Sequence, residues 1–107
     1  MGTMDPFAAL SDPNRRRMIE LLGAGPAPAG AIAAQFALSA PAVSQHLKAL
    51  REAGLVRVAV DGQRRIYSLE PDGLAGFDDW LDKVRRFWAP RLDALEAALR
   101  KEKEPEK

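Results

Sequence analysis

The chain has no cysteine and a single histidine among its 107 residues. Without cysteine there is no disulfide, no thiolate metal site and no thiol redox sensor, which fits a reducing compartment. One histidine is a thin basis for zinc, which takes three or four ligands. With no convergent carboxylate pair beside it, it also leaves little for acid–base or nucleophilic chemistry. The composition therefore points away from an enzyme, a bound metal and a cofactor. No run approaches the roughly 18 apolar residues of a membrane span. The N-terminus lacks the basic-then-apolar pattern of a signal peptide, so a cytoplasmic protein with no membrane partner is expected.

A surplus of charge of one sign is absent too, the formal net charge being +1. The balance is nonetheless uneven. From Ser39 to Leu69 the basic residues are Lys48, Arg51, Arg57, Arg64 and Arg65 against Glu52 and Asp61 alone, while acidic residues gather in the C-terminal third. Such a basic stretch suits a phosphate-facing surface. With 47% hydrophobic residues, the chain reads as one small domain, 1–107, whose modest core oligomerisation would reinforce.

What is present is concentrated in Ser39-Ala-Pro-Ala-Val-Ser-Gln-His-Leu-Lys-Ala-Leu-Arg-Glu-Ala-Gly-Leu-Val56. Ser39 is a cap, Pro41 suits the first turn and Gly54 supplies a left-handed stop, which predicts a helix from about Ala40 to Ala53. At roughly 100° per residue, Val43, Leu47 and Leu50 form one stripe, and Pro41, Ser44, Gln45 and Lys48 gather opposite. Short side chains let such a face approach base edges. Gln45 can donate and accept toward adenine, and Lys48 and Arg51 can reach phosphates. A plain solvated amphipathic helix has the same pattern, so the flanking segments decide. His46 lies about 60° from Val43, at the stripe margin, where edge packing or a phosphate contact suits it better than a metal.

Upstream, Asp12 and Pro13 read as the cap and first position of a helix carrying Met18, Ile19, Leu21 and Leu22. On that helix Arg15, Arg16 and Arg17 point in three directions, which favours pairing on the helix surface over a nucleic-acid patch. A short helix over about Ala29 to Gln35 follows, and Ala37-Leu38-Ser39 turns into the central helix, giving helix, tight turn, helix. Downstream, Val56, Val58 and Val60 alternate with Arg57 and Ala59, and Arg65 to Leu69 is again extended. Asp61-Gly62-Gln63-Arg64 joins them as a basic-tipped hairpin whose Arg64 can touch backbone or minor groove.

Leu10-Ser-Asp-Pro-Asn-Arg-Arg-Arg17, Val43-Ser-Gln-His-Leu-Lys-Ala-Leu-Arg-Glu-Ala-Gly-Leu-Val56 and Gly62-Gln-Arg-Arg-Ile-Tyr-Ser-Leu69 resemble, in consistent order over about Phe7 to Leu69, the ArsR/SmtB winged helix-turn-helix repressors. The resemblance implies a mostly α fold with a two-stranded β-hairpin wing, dimerising through N- and C-terminal helices, that binds double-stranded operator DNA and leaves it when an effector binds. It transfers DNA contacts to Ser44 and Gln45 first, then to Ala40, Pro41 and His46. The hairpin becomes the wing, with Gln63 and Arg64 near the tip and Arg65 beside them. The chain departs from the founding metal sensors where they are defined. Their cysteine box falls on Pro28 to Gln35, which offers no soft ligand, and no histidine follows Leu74.

From Leu74 to about Arg100, Phe77, Leu81, Val84, Trp88, Leu92, Leu95 and Leu99 recur at three- and four-residue steps, a stripe that a partner helix would cover. With Phe7 and Leu10 it forms the expected homodimer interface. Pro90 should kink this helix or start a second one. Trp80, Phe87 and Trp88 are read as packing ahead of an effector pocket. Asp78, Asp79 and Asp82 are read as answering a helix dipole. The expected organisation is an N-terminal dimerisation segment (1–12), a winged-helix core (13–73), a dimerisation helix or helices (74–101) and a disordered tail (102–107). The expected function is a homodimeric repressor without metal response, with an effector of unknown identity left open. The alternative is a protein-interaction winged helix that offers its aromatic stripe to a different partner.

Overall fold

The computed structural model describes residues 5–103. Its elements are α1 (Pro6–Ala9), α2 (Pro13–Leu22), β1 (Ala27–Pro28), α3 (Ala29–Ala33), α4 (Ala40–Glu52), β2 (Val56–Asp61), β3 (Arg64–Leu69) and α5 (Pro71–Lys103). A polar cap followed by proline opens α1, α2 and α4. Asp5 accepts from Phe7 N–H at 3.2 Å, Asp12 from Asn14 and Arg15 N–H at 2.8 and 3.2 Å, and Ser39 from Ala42 N–H at 3.2 Å. Each satisfies donors that the first helical turn leaves free.

The end of α4 is equally determined. Gly54 takes φ +77°, so its N–H reaches the Arg51 carbonyl and the Leu55 N–H reaches the Leu50 carbonyl, both at 3.0 Å. This is a Schellman stop, with Leu50 and Leu55 in the core on either side of it. The chain leaves directly into β2. In the hairpin Asp61 pairs with Arg64, and of the two turn residues only Gly62 has positive φ, +64°, as a type II′ turn requires.

The sheet is antiparallel in the order β1-β3-β2. The third strand was not expected. Ala27 and Pro28 pair with Tyr67 and Ile66, and two residues, one a proline, give no alternation to read. Along β3, Arg65 and Tyr67 share a face with their cross-strand partners Val60 and Val58. Val58 and Tyr67 on that face close the core under α3 and α4, where Met18, Leu22, Ile32, Val43, Leu47, Leu50, Leu55, Val56 and Tyr67 are buried and, among the described residues, no polar or charged residue is.

The described residues divide into a unit that ends at Ala75 and holds this core, and a second that begins at Gly76 and is helical to Lys103. α5 starts at Pro71, earlier than expected, and runs unbroken through Pro90. Pro90 removes the donor that the Arg86 carbonyl would use, and the next turn is braced instead by Arg91, whose guanidinium donates to the Phe87 carbonyl at 2.9 Å and lies 4.0 Å from that ring. Glu102 and Lys103 are helical and so do not belong to a disordered tail. Residues 1–4 of the N-terminal segment and 104–107 of the tail lie outside the described residues. The dipole reading of the aspartates fails, because Asp78, Asp79 and Asp82 sit beyond the first turn, where the field has decayed. Asp82 is explained by its pairs with Arg86 at 3.0 Å and Arg85 at 3.9 Å.

Candidate nucleic-acid interface

The register of α4 decides which side chains can be offered outward. Val43, Leu47 and Leu50 are turned into the core, and Ala40, Pro41, Ser44, Gln45, Lys48 and Arg51 are exposed. Ser44 and Gln45 therefore stand at the middle of a solvent-facing surface anchored from behind, the arrangement a base-reading helix needs.

His46 is placed differently from its neighbours. It is half-buried, and its Nδ1 accepts a hydrogen bond from Arg15 Nε at 3.1 Å. Asp12, the cap of α2, completes the cluster. Burial works against its charge, but the Arg15 and Asn14 N–H groups, the Arg15 guanidinium and, once protonated, His46 outweigh burial and hold the carboxyl below its ordinary 3.8.

The arginine run does go three ways. Arg15 grips α4, Arg16 donates to the Leu10 carbonyl at 3.1 Å, and Arg17 donates to the Gln35 carbonyl at 3.3 Å with its guanidinium 4.6 Å from the Phe36 ring. Two of these contacts tie α2 to α4 and to the turn before it. Sequence reasoning missed that role, since the partners lie 31 and 18 residues away.

Gln63, Arg64 and Arg65 are exposed on the hairpin. The fold brings Arg65 to the same cleft as Ala40 and Ser44 of α4. A second hollow, lined by Pro28, Ala29 and Gly30, takes in Gln63, Arg64 and Arg65. Neither is lined by an acidic residue. Arg65 of the wing thus shares a cleft with the outward residues Ala40 and Ser44 of α4, and Gln63 and Arg64 lie with it along the hairpin. Lys48 and Arg51 line neither hollow.

The apolar residues expected at a dimer interface are presented rather than packed. Phe7, Leu81, Trp88, Leu92, Leu95 and Leu99 are exposed, with Leu92 at 57% and Leu95 at 56%. Phe77 and Val84 are half-buried, and Leu10 packs at the core edge. Trp80 and Phe87, outside the stripe, are exposed as well.

A helix-turn-helix whose second helix is followed by a β-hairpin is a winged helix. A family model described as a helix-turn-helix domain matches residues 10–59. The HTH-type transcriptional regulator Rv2034 of Mycobacterium tuberculosis is 46% identical over 86 residues, 80% of this chain and 78% of that protein. The transcriptional repressor SdpR of Bacillus subtilis is 39% identical over 75 residues, 70% of this chain and 83% of the repressor. Among solved structures, a possible transcriptional regulator for arsenical resistance superimposes with a TM-score of 0.75 at 41% identity, covering 89% of this chain and 96% of that one. The homodimeric winged helix-turn-helix DNA-binding domain Mb0332 of Mycobacterium bovis, a possible ArsR-family regulator, does so with a TM-score of 0.61 at 26% identity, covering 74% and 73%. The chain belongs to the ArsR family of winged helix-turn-helix transcriptional regulators.

Proposed function

We propose that the protein is a homodimeric repressor that reads a pseudo-palindromic operator in the cytoplasm, its two α4 helices entering successive major grooves about 34 Å apart. The observation that carries this reading is the outward face of α4, with Ser44 and Gln45 exposed and Arg65 of the wing alongside. Gln45 and Ser44 read base edges. Lys48, Arg51, Gln63, Arg64 and Arg65 hold phosphates, with Ala40 and Pro41 permitting close approach and His46 at the edge of the contact. The named repressor among the relatives and the homodimer among the solved structures support repression and pairing. The reaction is occupancy alone, with no bond made or broken.

Arsenical sensing is not carried over from the neighbour named for it. Arsenite needs thiolates, the chain has no cysteine, and α3 is composed of Ala29, Gly30, Ala31, Ile32 and Ala33. The test is a titration of the full chain against labelled DNA from upstream of its own gene, beside a scrambled duplex, at two salt concentrations. A preference of roughly 10³-fold or more supports the reading. Equal, weak binding to that fragment and to sites selected from a random duplex pool favours a protein-interaction module instead.

A further inference from the structure

The cleft between α3, α4 and β3 has a volume of about 320 Å³, within the range of small-molecule sites. Its walls are mostly apolar, formed by Ala29, Ala33, Val43 and Leu47, and three residues with polar side chains also line it: Ser44, Arg65 and Tyr67. Gly30 leaves one side open, since a methyl group there would meet nothing within 4 Å.

Tyr67 is the telling member. It is 7% exposed at the centre of the sheet and is the one buried aromatic residue that lines this cleft. Arg65 and Tyr67 lie two residues apart on the same face of β3. A guanidinium, a phenol and a serine hydroxyl around an apolar slot with no acidic lining residue make a seat for an anion carrying a flat apolar body.

We propose that this cleft is the regulator's effector site and that its occupant is a small aromatic carboxylate. The carboxylate takes two N–H donors from Arg65 and hydroxyl donors from Tyr67 and Ser44, and the ring packs on Ala29, Ala33, Val43 and Leu47. Because Ser44 and Arg65 also face DNA, a filled cleft and a bound operator exclude one another. This regulatory half rests on the DNA-binding reading above; occupancy of the cleft does not.

Amide chemical shifts of the full-length protein titrated with 2-naphthoate test the site. Saturable shifts are expected at Gly30, Ala33, Ser44 and Arg65, about tenfold weaker binding for the neutral 2-naphthamide, and a similar loss in Tyr67→Phe, which removes only the hydroxyl. In the presence of operator, naphthoate should raise the apparent Kd for DNA in proportion to cleft occupancy. Four results would overturn the proposal: shifts confined to residues 76–103, equal binding of the amide, full binding by Tyr67→Phe, or inorganic phosphate moving the same amides as strongly, which would mark a seat for DNA backbone. Naphthoate binding with no release of operator would overturn the effector role. If the protein selects no operator, the function proposed above has failed, and the amide shifts still decide the site.

Discussion

Gln45 and Arg64 both face solvent, yet their chemistry makes them fail differently when removed. Gln45 can satisfy a donor and an acceptor on one base edge, so Gln45→Ala should relax sequence preference by about 1–3 kcal/mol at one position of the operator. Arg64 offers charge at the wing tip, so Arg64→Ala should weaken all DNA and flatten the dependence of log K on log salt by about one unit. An unchanged slope would remove Arg64 from the phosphate contacts. In the proposed DNA contact, Arg15 would be a positioning residue that acts through His46. A double-mutant cycle of Arg15→Ala and His46→Ala, read as the ratio of specific to scrambled binding, should therefore be non-additive, and independent effects would break the link. Asp12 gives a pH dependence. Its carboxyl is depressed in the folded state, so its contribution is complete above the ordinary 3.8 and is lost as pH falls through the lower folded value. Asp12→Ala should cost about 1 kcal/mol near neutrality, and urea titrations should show the gap to wild type closing as pH falls below 3.8.

Among the elements, the junction of α4, β2 and α5 is the least forgiving. A methyl group on Gly73 would overlap the Gly54 carbonyl oxygen, and that carbonyl belongs to the left-handed stop of α4, which is backbone and cannot swing aside. Gly73→Ala should destabilise by about 2–4 kcal/mol. Gly76→Ala, three residues on with nothing within 4 Å, should stabilise by about 0.5–1 kcal/mol through helix propensity. Paired urea titrations separate the two, and similar midpoints would deny the close approach. The elements that local chemistry specifies were legible from the chain. Asp12-Pro13 and Ser39 open their helices, Gly54 closes α4, and Gly62 turns the hairpin. The start of α5 carried a readable signal in Pro71 and Asp72, a first-position proline and a first-turn acid, that went unused. What was not legible depends on tertiary placement. Ala27-Pro28 becomes a strand because Tyr67 and Ile66 are there to pair with. Arg15 finds His46 only once α2 lies on α4, and the cleft exists only when Arg65 is carried over Ser44.

At the scale of the whole molecule, an exposed row from Leu81 to Leu99 on a 33-residue helix with no buried residue needs cover. Leu92→Glu should shift sedimentation from dimer toward monomer and lower operator affinity far more than it lowers the stability of residues up to Ala75. A variant that stays dimeric would move the interface off this row.

The same helix couples quantity to structure. At 1.5 Å per residue it is about 50 Å long, and a helix this exposed draws little support from its own chain. The unit ending at Ala75 has its own core, whereas in the proposed homodimer the stretch beyond Gly76 would gain its stability from a second copy. Its melting is then second order in protein. On that proposal, a cell holding few copies would keep a folded reader with no clasp, and the onset of repression would be a steep function of how much of the protein has been made.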